Sequence, residues 1–171
     1  MRKRRASQLS EYGKQLQAKQ ELRGEYGLRE RQFKGYVKKV LARKNTQGSD
    51  TNEALLQNLE TRLDGIVYRM GFAKTRSQAR QIVGHGHIHV NGKVMDIPSY
   101  QVQKKDVISI SRSSLNTELV KNIQLAMKKF QAPSWIELDK EKMEGGIKEL
   151  PKLQDVGSEA DIPLVFEFYS R

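Results

Sequence analysis

Apolar residues recur at helical spacing through the first half of the chain and alternate with polar ones near its middle. Phe33, Tyr36, Val37, Val40 and Leu41 fall at i, i+3, i+4, i+7 and i+8. That spacing predicts a helix with one buried stripe, and Arg29, Arg31, Lys34, Lys38 and Lys39 fill its other positions. A thinner helix precedes it. Ser10 is a competent N-cap before Glu11, the apolar content is Tyr12, Leu16 and Leu22, and Gly24 is the expected stop. Residues 45–50 predict a loop. A third helix from Asn52 carries Leu55, Leu56 and Leu59, and the spacing runs on through Leu63, Ile66, Val67 and Met70 to Gly71. Thr61 and Asp64 have capping-box spacing, which predicts a bend near Thr61. Thr75 and Gln78 repeat that spacing ahead of Ala79, Ile82 and Val83, the inner face of a short helix ending at Gly84.

The period then changes. Ile88 and Val90 alternate with His87 and His89, as in a half-buried strand. Asn91-Gly92 is a strong hairpin signal, because both turn positions need positive φ. Val94 and Ile97 continue the hairpin before Pro98, and Val107, Ile108 and Ile110 predict another strand after the Lys104-Lys105-Asp106 turn. A helix over residues 114–130 is expected from Leu115, Leu119, Ile123, Ala126, Met127 and Phe130. Beyond Pro133, residues 135–138 read as extended and residues 139–162 as loop and turn. A last strand after Pro163 is expected from Leu164, Phe166 and Phe168 alternating with Val165, Glu167 and Tyr169.

Charge sharpens this outline. The 171 residues are 37% hydrophobic and 30% charged, with a net charge of +11. Residues 1–44 hold 14 Lys/Arg against 4 Asp/Glu, and residues 62–129 hold 12 against 4. An acidic connector separates these basic blocks, and residues 130–171 carry 9 acidic against 5 basic side chains. Phosphate contacts dominate the affinity of basic proteins for nucleic acid, so RNA or DNA is the first partner to consider. A cationic membrane-surface protein is the competing reading, but no apolar run approaches the length of a bilayer span and no signal-peptide pattern opens the chain. With no cysteine, a disulfide framework and a thiolate metal site are ruled out, which is compatible with a reduced cytosolic compartment.

Lys74, Arg76 and Arg80 cluster around one helix N-terminus, where backbone N–H groups already favour phosphate and the planar guanidinium adds paired donors. The bland alternative is a helix-turn-helix packing unit with solvated charges. DNA reading in the major groove needs an exposed recognition helix, and the apolar Ala79, Ile82 and Val83 leave this one short and half buried. His85, His87 and His89 invite a metal reading, but a site needs three or four convergent ligands. The simpler reading is a strand face beside RNA. Glu60 and Asp64 lie four apart on a helix and suit capping or charge pairing better than acid–base work. No phosphate loop, nucleophile elbow or metal helix points to an enzyme.

The stretch from Leu63 to Ile110, with its two glycine-closed helices and Asn91-Gly92 turn, resembles the alpha-L RNA-binding domain. The resemblance widens with the run Ser10-Glu11-Tyr12-Gly13 through Phe33 and with Leu59-Glu60-Thr61-Arg62-Leu63-Asp64. Pro98-Ser99-Tyr100-Gln101-Val102, Pro133-Ser134-Trp135, Lys142-Met143-Glu144-Gly145 and the ending Val165 to Arg171 extend it over nearly the whole chain. Together these motifs are similar to the family of bacterial small-ribosomal-subunit protein four. An RNA-binding stress factor or RNA-modifying enzyme using the same domain is the alternative. The former would lack the N-terminal helical hairpin, and residues 130–171 are too few for the latter's catalytic domain.

The resemblance implies an α+β fold: a helical domain built from both chain ends, with the alpha-L domain inserted as short helices plus a small, mostly antiparallel sheet. The expected divisions are residues 1–60 for the helical RNA-binding part, 61–125 for the alpha-L domain and 126–171 for a segment packing back on the helical part. The implied place is the cytoplasmic small ribosomal subunit. The implied partners are 16S ribosomal RNA, bound early at a five-way junction, small-subunit protein five and other subunit proteins, and messenger RNA at the channel by which it enters. A role in decoding accuracy comes with these; cofactor, metal, membrane, DNA and homo-oligomer do not. The chain begins almost at the first motif, as either a naturally short member or one with residues removed would, and the zinc-binding cysteines of some members are not expected in it. The residues expected to contact RNA are Arg2, Lys3, Arg4, Arg5, Tyr12, Lys14, Gln15, Lys19, Gln20, Arg23, Tyr26 and Arg31 in the first block. In the second they are Arg62, Arg69, Lys74, Thr75, Arg76, Gln78, Arg80, His85, His87, Asn91, Lys93 and Tyr100.

Overall fold

A computed structural model describes residues 9–44, 50–111, 114, 118–157 and 160–170. The chain forms two compact units, one from residues 1–52 with 158–171 and the other from residues 53–157.

The first unit is helical. Ser10 caps α1 (Glu11–Glu25) by accepting from the Gly13 amide at 3.2 Å. The helix runs one residue past the expected stop, and its chain reverses at Gly27, whose φ is 58°. In α2 (Glu30–Lys44), Phe33, Val37 and Val40 are buried, with Tyr36 and Leu41 half-buried on the same stripe. The C-terminal segment is a helix, α8 (Ile162–Tyr169), where alternation had suggested a strand. Asp161 accepts from the Leu164 amide at 3.4 Å, and Pro163 sits in the first turn, where its missing N–H costs nothing. Val165 and Ile162, three apart, are buried, and α8 packs against both α1 and α2.

The second unit carries the sheet. Its elements are α3 (Thr51–Glu60), α4 (Leu63–Arg69), α5 (Arg76–Gly84), β1 (Ile88–Val90), β2 (Lys93–Val94), β3 (Ile108–Ile110), α6 (Glu118–Met127), β4 (Ile136–Asp139), β5 (Glu144–Ile147) and α7 (Leu153–Val156). The strands order as β2-β1-β3-β5-β4, each pair antiparallel. Leu63, Ile66, Val67, Met70, Phe72 and Ile88 are fully buried in a core that also takes in Ile108, Met127, Trp135, Met143 and Ile147. Residues 126–157 therefore fall in the same compact unit as the sheet, whose limits of 53 and 157 differ from those expected at 60/61 and 125/126. The reason is β5, which pairs Ile108 with Gly145 on one side and Ile136 with Ile147 on the other. In α6, Val120, Ile123 and Met127 are buried while Ala126, expected inside, is exposed; Leu115 and the Leu119 side chain lie outside the described residues.

The bend at Thr61 forms, but not through a capping box. The Val102 amide donates to the Thr61 carbonyl and the Leu63 amide to the Tyr100 carbonyl, each at 2.8 Å, so the chain breaks helix here to make a β-bridge between Arg62 and Gln101. The Thr61 hydroxyl lies 2.6 Å from the Gln57 carbonyl oxygen. At the hairpin, Asn91 and Gly92 adopt φ of 52° and 78°, and His89 faces Val94 as the two-residue turn requires. The Asn91 carboxamide donates to Asp106 at 2.8 Å and accepts from the Val107 amide at 2.9 Å, tying the turn to the loop before β3. Among the described residues no helix is long and apolar enough to cross a membrane.

Candidate RNA-binding surface

Two buried carboxylates organise the basic side chains of α4 and α5. Glu60 is fully buried, and its two oxygens accept from Arg69 Nε and Nη2 at 2.9 and 2.8 Å and from Arg76 Nη2 at 2.9 Å. Asp64 takes Arg62 Nε and Nη2 at 2.9 and 2.7 Å and Arg80 Nε at 3.0 Å. The guanidinium of Arg76 also stands 5.0 Å over the Tyr68 ring. Four arginines thus share two carboxylates, leaving positive charge in excess on the α4–α5 face. Bidentate pairs of this kind fix the guanidinium plane as well as its position.

The start of α5 is a built N-terminus. The Thr75 hydroxyl accepts from the Gln78 amide at 3.1 Å, as its spacing predicted, and Gln78 Oε1 accepts from the Lys74 amide at 2.8 Å. Lys74 and Thr75 are exposed and Gln78 is half-buried. Lys93 is exposed on β2. His85 is exposed and its ring meets that of His87 edge-on at 6.1 Å, while His87 Nδ1 lies 2.8 Å from the Ser114 hydroxyl. Among the described residues no three His, Cys, Asp or Glu side chains gather as a metal site would require. Asn91 and Tyr100 both turn to Asp106, the Tyr100 hydroxyl donating at 3.4 Å. Burial, then the Asp106 charge and hydrogen bond, raises the Tyr100 phenol.

In the helical unit the expected residues divide between surface and interior. Tyr12, Lys14, Gln20 and Arg31 are exposed, Tyr12 against Phe168 with ring centroids 5.8 Å apart and Lys14 paired with Glu11 at 2.8 Å. Gln15, Lys19 and Tyr26 are buried. Gln15 donates to Glu167 at 3.0 Å, and Lys19 donates to Glu30 at 2.9 Å with its ammonium 4.8 Å over the Phe168 ring. Gln15 and Tyr26, like Arg62 in the other unit, are held inside, while Lys19 is buried against Glu30 and Phe168 at the floor of a groove. Arg2 to Arg5 lie outside the described residues.

A groove of about 710 Å³ opens on this unit, lined by Gln20, Arg23, Glu30, Lys34, Lys38 and Tyr169 among others. Lys34 and Lys38, seen in the sequence only as the outer face of α2, are its exposed basic wall. Tyr169 donates to Glu30 Oε1 at 2.6 Å, and Arg23 Nε stands 3.9 Å from the same carboxylate. Burial alone would raise Glu30, but the Tyr169 hydroxyl, Lys19 and Arg23 outweigh it and hold the carboxyl below its ordinary value. Burial, then the hydrogen bond to Glu30, pushes the Tyr169 phenol far up. Reading residues 164–169 as a strand concealed this groove. The signal for a helix was Asp161 before Pro163.

Two family models match the chain: "Ribosomal protein S4/S9 N-terminal domain" over residues 1–60 and "S4 domain" over residues 61–108. The small ribosomal subunit protein uS4 of Shewanella loihica is 44% identical over 167 residues, spanning 98% of this chain and 79% of that protein.

Proposed function

The chain belongs to the family of small ribosomal subunit protein uS4, and from that premise we propose that it is an RNA-binding structural constituent of the small ribosomal subunit in the cytoplasm. The family is not enzymatic. The observation that carries the reading is the α4–α5 face, where Arg69, Arg76 and Arg80 are held by two buried carboxylates beside the Lys74-Thr75 start of a helix. Excess guanidinium charge at the positive end of a helix dipole is a surface for phosphate oxygens. The groove wall of Lys34 and Lys38 supports a second contact area on the helical unit.

The finer reading is that the protein binds 16S ribosomal RNA directly and early at its five-way junction and nucleates the subunit body. Contact with small-subunit protein five and a place at the messenger RNA channel, with an influence on decoding accuracy, complete it. A protein that joins early must bind bare RNA without help from neighbours, so the test uses two components. The purified chain is mixed with a 16S junction fragment, and in parallel tagged chain is followed through a sucrose gradient of cell extract. Nanomolar binding to the fragment and co-migration with the small subunit are expected. Co-migration without binding to bare RNA would refute early direct binding, and a chain that stays at the top of the gradient would refute the subunit role.

A further inference from the structure

Two of the arginines on this face are held from behind by one carboxylate. Glu60, the last residue of α3, is 0% exposed, so no RNA atom reaches it. Arg69 and Arg76, which it holds, keep 19% and 12% of their side chains exposed. An exposed arginine samples many rotamers and loses that freedom on meeting a phosphate. A guanidinium already locked against a carboxylate has lost it during folding, and its plane is fixed before RNA arrives.

Resting on the RNA-binding reading above, we infer that Glu60 is a positioning residue for RNA recognition. It aims the Arg69 and Arg76 guanidiniums as one rigid fork from a site that RNA never touches. The competing account is that Glu60 only neutralises two arginines that serve the fold. The two accounts differ in sign. Glu60→Gln removes a negative charge, and if arginine orientation is irrelevant the added net charge strengthens RNA binding through counterion release. If Glu60 positions the fork, the same substitution weakens binding despite the charge gained.

The experiment measures the full chain against a 16S junction fragment across a salt series, with thermal melts of each variant. Glu60→Gln is expected to bind roughly ten-fold or more weakly. Losing the buried charge that two half-buried guanidiniums share can unfold a domain, so a second variant is needed. Glu60→Met/Arg69→Met/Arg76→Met replaces the ionic triad by apolar chains of similar volume, an exchange that buried triads can tolerate. It is expected to melt cooperatively, bind at least ten-fold more weakly, and show a log K against log salt slope shallower by about 1.4, two contacts at ~0.7 each. Wild-type affinity or better in Glu60→Gln, or unchanged affinity and slope in the folded triple variant, would overturn the inference while leaving the RNA-binding reading intact. Absence of binding by the wild-type chain would remove both.

Discussion

The Tyr169 hydroxyl donates to Glu30 Oε1 at 2.6 Å, joining residues 139 positions apart. With this bond α8 is fastened to the start of α2, and the Phe33 and Tyr169 rings, 6.2 Å apart between centroids, pack beside it. Tyr169→Phe keeps the ring and removes the donor, so it is expected to lower stability by about 1.5 kcal/mol, the low end for a hydrogen bond to a charged acceptor because this one is exposed. The phenol is raised above its ordinary value of 10.0, so its contribution is full below that pH and declines as pH rises beyond it. Urea unfolding at neutral and strongly alkaline pH checks both halves: the gap between wild type and variant must narrow in alkali.

Leu63 is fully buried in the core of the sheet-bearing unit. Leu63→Ala is expected to destabilise it by ~2–5 kcal/mol through the cavity left behind. RNA binding at a temperature where the variant is still folded should equal that of wild type. A loss of affinity in the folded variant would show that Leu63 does more than fill space.

Salt dependence tests the charge map as a whole. About 6–10 phosphate contacts at ~0.7 per contact give a slope of log K against log salt of roughly −4 to −7. Lys19 and Arg62, each buried against a carboxylate, should not be among the contributors. Lys34→Gln with Lys38→Gln should flatten the slope by about 1.4, two contacts' worth. A wild-type slope shallower than about −2 would mean that most of the basic side chains never meet phosphate.

The domain boundaries can be tested by cutting. A fragment of residues 53–157 should melt cooperatively, because it contains all five described strands and their core. A fragment of residues 61–125 lacks β4 and β5 and leaves Ile108 and Met70 without Trp135, Met143 and Ile147 over them. It should melt broadly and bind a hydrophobic dye. Equal cooperativity in the two fragments would restore the shorter boundary.

What the sequence disclosed depended on how many neighbours each element needs. The stripe of Phe33, Val37 and Val40 and the Asn91-Gly92 turn are local patterns, and both are found as read. α8 was misread because Ile162-Pro163-Leu164-Val165-Phe166-Glu167-Phe168-Tyr169 is apolar on nearly every side, so alternation fits it as well as a helical period. β5 was missed because Glu144-Gly145-Gly146-Ile147 has no strand propensity. Its glycines answer to neighbours distant in sequence: a Cβ at Gly146 would stand 2.6 Å from the Asp106 carbonyl oxygen, and one at Gly145 would strike that of Glu137. At the site, Glu60 and Asp64 are legible in the sequence as capping or charge-pairing residues, but the arginines each one holds are not. Which arginine Glu60 holds is settled by the packing of α4 on α5, and no periodicity encodes it.

The Asn91-Gly92 turn also sets how the protein ages. Asparagine before glycine is prone to lose ammonia when the glycine amide nitrogen attacks the side-chain carbonyl carbon, and water then opens the cyclic imide to aspartate or its isomer. Here the carboxamide is clasped on both sides, by Asp106 and by the Val107 amide, and is not at liberty to swing onto that nitrogen. Folded chains should therefore keep the residue intact, whereas chains held in urea at the same pH should accumulate isoaspartate, readable by mass spectrometry. Once formed, a carboxylate in place of the Asn91 amide would face that of Asp106 without the hydrogen bond that now joins them. The turn works as a clock that runs only while the protein is unfolded.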